Sequence, residues 1–149
     1  MKLCQGDMWQ VFGEADLFGI TTNAKLRGDG ALVMGRGIAA QAKSRYPELP
    51  YAWGREIQAL QQYPHHLPEY GVLRRPGAKM FAFQVKYRWD RPAETALIGR
   101  SVRRMLDLFG DGPQVHLNFP GIGNGGLPRD MVLPLLEDLP DNYHIWEYA

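Results

Sequence analysis

Glycines 28, 30, 35 and 37 crowd the stretch 28–41, and a helical run over residues 38–46 follows at once. Glycine lets backbone N–H groups come close to a ligand and take up positive φ. A helix N-terminus adds unpaired N–H donors and a partial positive charge. Together these make an anion site, most naturally for phosphate; the alternative is a flexible surface loop ahead of a helix. A second glycine loop, residues 120–126, follows the strand-like segment 114–119. Both loops fit the dinucleotide fingerprint loosely, Gly35 and Gly37 with Ala40 third, and Gly121, Gly123 and Gly126 in full. Neither has the surroundings that a Rossmann fold requires. Gly35 is preceded by more loop, and after Gly121 only one helix and one strand remain to carry a ribose-binding acid. Neither loop ends in Gly-Lys-Ser/Thr, so there is no Walker loop. Two such loops at the carboxyl ends of strands suggest one ligand with its diphosphate held between them.

Other reactive side chains are sparse. Cys4 is the only cysteine, which excludes an intrachain disulfide. It reads as a small buried residue of the first strand rather than a nucleophile. His65 and His66 have no third ligand at useful spacing, so they read as a solvated loop and no metal is expected. No organic cofactor is expected either. Arg100, Arg103 and Arg104 read as the solvated face of a helix rather than a nucleic-acid patch.

The elements that must position the loops follow from patterning. Strands are expected at 2–5, 16–22, 70–73, 80–85, 114–119 and 143–148. Helices are expected at 38–46, ended by Pro47, at 51–62, and at 92–109, with Pro92 as first residue. Apolar Leu97, Ile98, Val102, Met105 and Phe109 recur in that last helix at helical spacing. A further helix would take Asp130 as N-cap and Met131 as first residue, leaving Pro134 in the tolerated first turn. A loop fills 63–68. Strands alternating with helices give an α/β sandwich with much parallel pairing.

The 149 residues suit a single domain, 1–149, with one sizeable core. A net charge of +1 makes no strong electrostatic case for nucleic acid or membrane. No apolar run approaches the roughly 20 residues that span a bilayer, and no signal peptide is visible. A cytoplasmic monomer with no membrane partner is the expectation.

Four pieces in order resemble a macro domain over nearly the whole chain. They are Gln5-Gly6-Asp7-Met8 after the first strand, Thr21-Thr22-Asn23 at the end of the second, Met34-Gly35-Arg36-Gly37-Ile38-Ala39, and Phe119-Pro120-Gly121-Ile122-Gly123-Asn124-Gly125-Gly126. The resemblance implies a three-layer α/β/α sandwich with a mixed central sheet, and ADP-ribose or an ADP-ribosylated macromolecule as partner. By it, Asp7 with Met8 would hold the adenine. The Met34–Ile38 and Pro120–Gly126 loops would hold the diphosphate and distal ribose, with Asn23 near that ribose. The alternatives are a turn aspartate for Asp7 and a residue bonding its own backbone for Asn23. Tyr148 would stack on adenine or pack at an edge, and Trp53 and Trp89 read as core or pocket wall.

Within macro domains the likeness is to the branch containing the terminal ADP-ribose–glutamate hydrolase and the DarG-type antitoxins, which remove ADP-ribose from thymidine in DNA. Shared are Met-Gly-x-Gly-Ile-Ala and a lysine past the fourth strand, here Val85-Lys86-Tyr87-Arg88-Trp89. Lys86 thereby matches the catalytic lysine. Its amine would attack or stabilise the anomeric carbon of the distal ribose, given a pKa lowered by partial burial against Trp89 or Tyr87 and by nearby Arg88. Without the resemblance, Lys86 reads as an ordinary solvated lysine. The chain departs from the branch in carrying no acid in Gly125-Gly126-Leu127-Pro128 and in an unusual insertion at 25–31. The implied activity is mono-ADP-ribosyl hydrolysis, with DNA-thymidine the better substrate than protein and single-stranded DNA a partner. The alternatives are a non-catalytic ADP-ribose reader and an ADP-ribose-1″-phosphate phosphatase.

Overall fold

The computed structural model describes residues 1–61 and 66–148. Its elements are β1 (Lys2–Gln5), β2 (Leu17–Thr22), α1 (Gly37–Arg45), α2 (Leu49–Leu60), β3 (Val72–Leu73), β4 (Met80–Gln84), α3 (Thr95–Phe109), β5 (Val115–Asn118), α4 (Arg129–Leu136) and β6 (Tyr143–Glu147). The strands form one sheet in the order β1-β6-β5-β2-β4-β3. All its ladders are parallel except β3 against β4.

A parallel sheet is covered on both faces, so its central strands bury nearly every side chain; β2 and β4 do so. The two-residue period then sorts the side chains. Phe81, Phe83, Val115 and Leu117 pack with Ile98, Met105 and Val132 from α3 and α4. Phe18, Ile20, Met80 and Ala82 pack with Ala42, Trp53 and Ile57 from α1 and α2, and with Trp9. The result is the expected three-layer α/β/α sandwich. Among the described residues no helix is long and apolar enough to cross a membrane.

From β2 the chain runs by way of α1, α2 and β3 to β4 on one side. From β4 it returns through α3 to β5, on the other side of β2, and continues through α4 to β6. Connections therefore diverge between β2 and β5. In open α/β sheets, ligands bind at the strands' carboxyl ends at such a point. The ladder itself opens there. Pairing of β2 with β5 stops at Gly19 and Leu117, and Asn118 fills the gap with its side chain. Its Oδ1 accepts from Thr21 N at 3.1 Å, and its Nδ2 donates to Thr21 Oγ1 at 2.8 Å.

Several boundaries differ from expectation for identifiable reasons. α2 begins at Leu49, with Pro50 in its first turn, where a missing N–H costs nothing. Its expected end at 62, with residues 63–65 of the expected loop, lies outside the described residues. α3 begins at Thr95 rather than Pro92, because Ala93 N donates to Gly125 O and Glu94 N to Val85 O. α4 begins at Arg129 after Pro128, not at Met131 after Asp130, and Pro134 lies inside it rather than in its first turn. Asp130 instead occupies that first turn, where a carboxylate suits the helix dipole. β3 shrinks to two residues because Gln84 Oε1 takes the N–H groups of Tyr70 and Gly71, at 2.8 and 3.1 Å.

The excursion at 25–31 is anchored. Arg27 N donates to Ala31 O and Val33 N to Lys25 O, while Leu32 N reaches Pro50 O at 2.9 Å. Tyr51 donates its hydroxyl to Asp29 Oδ2 at 3.0 Å. α2 meets the excursion backbone to backbone, since a Cβ built on Gly54 would lie 2.0 Å from Gly30 O. Glycine to alanine inside a helix ordinarily stabilises by about 1 kcal/mol. Here Gly54→Ala should destabilise by roughly 1–3 kcal/mol through forced displacement, read as a lower urea midpoint. An unchanged or raised midpoint would show that the excursion yields freely.

Candidate functional site

A cavity of about 630 Å³ lies across the carboxyl ends of the five parallel strands, a size suited to a small-molecule ligand. Strand order fixes the order of its walls. Asp7 and Met8 follow β1, Glu147 and Tyr148 end or follow β6, and the second glycine loop follows β5. Asn23 and the first glycine loop follow β2, and Lys86 and Trp89 follow β4. Four strand spacings, roughly 19 Å, separate the Asp7 end from the Lys86 end, so the cavity fits an elongated ligand.

The two glycine loops are neighbours: a Cβ built on Gly37 would lie 3.5 Å from Asn124 Nδ2. The N-terminus of α1 opens between them. Its N-cap is Arg36, which makes no side-chain cap hydrogen bond, and its first turn holds no acid. The helix dipole is therefore uncompensated at this end, and a cation is added to it. In the second loop Gly121 has φ +80°, and a Cβ there would lie 2.5 Å from Ile98 Cδ1. Only glycine lets this backbone pass so close to α3 on its way to the short 3₁₀ turn Gly123–Gly125.

Of the residues expected in the site, Asp7, Met8, Asn23, Met34, Gly35, Arg36, Gly37, Ile38, Lys86, Gly121, Ile122, Gly123, Asn124 and Gly125 line the cavity. Pro120 and Gly126 do not. Pro120 is buried behind the wall, and Gly126 is the left-handed exit of the 3₁₀ turn. Asp7 spends one oxygen on the N–H of Trp9, at 3.0 Å. Asn23 accepts from Lys25 N at 2.7 Å and donates to Val33 O at 2.9 Å, bracing the path into the first glycine loop. One amide hydrogen and one lone pair remain for a ligand.

Lys86 is half-buried, and its Nζ donates to the carbonyl of Trp89 at 3.2 Å. Burial holds its pKa below the ordinary lysine value, Arg36 lowers it further, and Asp90 opposes them. The neighbouring cation is thus Arg36 and not the expected Arg88, whose Nε lies 3.0 Å from Asp90 Oδ1. Tyr87 is not part of the wall either. Its hydroxyl donates to Glu69 Oε1 at 2.8 Å, beside the Glu69–Arg100 ion pair. Trp89 lines the cavity, Trp53 is core, and Cys4 is half-buried on β1.

Sequence reasoning missed Asn118, Gln41, Trp146 and Glu147, all on the wall. A polar residue ending a buried strand just before a glycine loop was the available signal for Asn118. Gln41 gave none, because its role is set by tertiary contact. Its Oε1 accepts from Trp9 Nε1 at 2.7 Å, and its Nε2 donates to the hydroxyl of Tyr148 at 3.1 Å, tying α1 to the end of β6. Among the described residues no group of three His, Cys, Asp or Glu side chains is placed to hold a metal. His65 lies outside the described residues, and His66 is exposed.

The sequence matches no protein-family model and no curated protein sequence. The fold does match solved structures. The macrodomain of Mycobacterium tuberculosis DarG superposes with a TM-score of 0.71 at 23% identity, covering 99% of this chain and 98% of that one. The macrodomain of Thermus aquaticus DarG gives 0.69 at 22% identity, covering 99% and 97%. Thermosipho africanus DarTG, in complex with ADP-ribose, gives 0.69 at 20% identity, with all of this chain covering 42% of that longer one. The chain has the macrodomain fold.

One wall residue rests on a buried titratable group. Trp146 Nε1 donates to His116 Nδ1 at 2.9 Å, which requires neutral His116 with its proton on Nε2. The stacked His144 ring lies 4.3 Å away. Burial first, and the His144 charge second, push the His116 pKa down to about 4, against a weaker pull from Asp16. A histidine with a depressed folded pKa costs stability as pH falls from its unfolded pKa near 6.5 toward its folded value, and nothing above 6.5. Wild-type stability should therefore drop by on the order of 3 kcal/mol between about pH 6.5 and 4. His116→Asn, whose Oδ1 can take the place of Nδ1, should flatten that segment in urea midpoints followed against pH. Equal slopes for the two proteins would show that other groups set the acid limit.

Proposed function

We propose that this chain binds ADP-ribose along the cavity and hydrolyses an ADP-ribosyl linkage at the Lys86 end. The observation that carries this reading is Lys86 itself. It is a half-buried amine of lowered pKa on the wall of an elongated cavity, at the opposite end from Asp7. The uncapped N-terminus of α1 and the adjoining second glycine loop suit a diphosphate between the two ends. Thermosipho africanus DarTG, of like fold, is known in complex with ADP-ribose, which supports the same ligand here. Asp7, with one carboxylate oxygen left over from its turn, would accept the adenine amino group.

With the distal ribose at Lys86, the neutral amine attacks the anomeric carbon. The bond from that carbon to the acceptor breaks, and its electron pair leaves with the acceptor, which takes up a proton. Water then displaces the lysine, restoring the amine and freeing ADP-ribose. Burial and Arg36 serve this step by keeping more of the amine neutral at a given pH. The stretch 125–128 contributes no carboxylate, which favours a DNA-thymidine linkage over a glutamate ester. The same absence favours a second reading, a module that binds ADP-ribose without chemistry.

Release of ADP-ribose from thymidine-modified single-stranded DNA and from glutamate-modified protein separates the readings. Lys86→Ala should lose at least about 10²-fold in release while its ADP-ribose affinity, measured by calorimetry, stays within a few-fold of wild type. Unchanged release would assign the chemistry to another group. Binding without release from either substrate by the wild type would make the chain a reader. Because the reactive form is the free amine, release should climb with pH and level off at a midpoint below the ordinary lysine value. Arg36→Gln should move that midpoint upward; a midpoint that stays put would remove Arg36 from the account.

A further inference from the structure

We propose that Trp89 determines which acceptors this site takes, by stacking its indole on a planar ring that carries the ADP-ribose, so that the group seated at the mouth is an unpaired nucleobase rather than a carboxylate side chain. The inference rests on the reading above and concerns the acceptor side of the same site.

Trp89 is 50% exposed, whereas the other three tryptophans are 9% exposed or less. An indole with half its surface in water is unusual in a fold whose other large aromatics are mostly covered. It also sits in a particular place. It lines the cavity, and its own carbonyl receives the Lys86 ammonium. The acceptor is bonded to the carbon that Lys86 attacks, so it must lie within a few ångströms of Trp89. The turn that carries the indole is held at several points. Arg88 pairs with Asp90, Arg91 N donates to Arg88 O, and Ala93 N donates to Gly125 O of the second glycine loop. Little ordering is then left to be done on binding, which is the condition under which an exposed aromatic gains most from a stacking partner.

The chemistry of the rim favours one acceptor class. An indole face stacks on a base of any sequence, whereas a carboxylate ester on a flexible side chain has no ring to stack on it. Arg36, on the same part of the wall, is exposed and has no ion-pair partner among the described residues. Its planar guanidinium suits a phosphate flanking the base. Because a guanidinium also pairs with a carboxylate, the discrimination rests on the indole, for which an acidic side chain has no planar ring.

The test uses Trp89→Ala and Trp89→Phe, each alone and combined with Lys86→Ala. Two substrates are compared, a single-stranded oligonucleotide bearing ADP-ribose on one thymine and a peptide bearing it on glutamate. Trp89→Ala should lower kcat/KM on the oligonucleotide by about tenfold more than it lowers kcat/KM on the peptide or the affinity for free ADP-ribose, while Trp89→Phe retains most of the wild-type rate. In the Lys86→Ala background, where turnover is removed, the modified oligonucleotide should bind more tightly than ADP-ribose alone, and Trp89→Ala should close that gap. This binding arm reads Trp89 even if the wild type releases nothing, which separates failure of the inference from failure of the hydrolase reading. Equal losses on both substrates, no loss on the oligonucleotide, release from the peptide alone, or a binding gap that survives Trp89→Ala would each overturn it.

Discussion

One missing piece of β-ladder governs the rest of the molecule. β2 pairs with β4 through to Thr22 and Gln84, and β5 pairs with β6 through to Asn118 and Trp146, yet β2 and β5 part at Gly19 and Leu117. An open ladder would leave backbone N–H and C=O groups unpaired, at a cost comparable to lost hydrogen bonds. The Asn118 amide prevents that by bonding the backbone and hydroxyl of Thr21. The strands can then diverge, and the glycine loops that follow them lie side by side over the gap. The cavity is a consequence of sheet topology, and the side chains decorate it.

Charge is distributed along the cavity as the topology dictates. The two lining carboxylates, Asp7 and Glu147, follow or end the outer strands β1 and β6, while the two lining cations, Arg36 and Lys86, lie toward β4. Glu147 is neutralised in part by Arg129, at 2.9 Å. The cationic end has no such partner on the wall and also receives the positive end of α1. A ligand with a neutral base at one end and anionic groups in the middle matches this gradient, and the Arg36 charge at that end adds to burial in depressing Lys86.

Much of this was legible in the chain. The period-2 and period-3.6 patterns placed the strands and helices because burial on two faces of a parallel sheet leaves little ambiguity in runs such as Met80–Gln84. The glycine loops were legible because few residues other than glycine can pass where Gly121 does. The errors share a cause, which is that hydrogen bonds between distant segments override local signals. Pro92 is a good first helical residue, but Gly125 and Val85 claim the two amides that follow it. Asp130 is a good cap, but the chain already turns at Pro128. Arg88 was the nearest cation to Lys86 in sequence, but Asp90 neutralises it, and Arg36 arrives from the far side of the first glycine loop. Gln41 and Trp146 left no trace because their partners, Trp9, Tyr148 and His116, are brought together only by the fold.

The parallel pairing of β1 with β6 has a practical corollary. Because these two neighbouring strands run in the same direction, residue 2 and residue 147 lie at opposite ends of the strands. The α-amino group sits by Leu139 and Asp141, under the floor of the sheet, whereas Tyr148 stands on the rim of the cavity. A fluorophore attached at the amino end would be remote from the cavity and report on the integrity of the fold. One attached at Tyr148 would stand at the doorway and report on exchange of whatever occupies it.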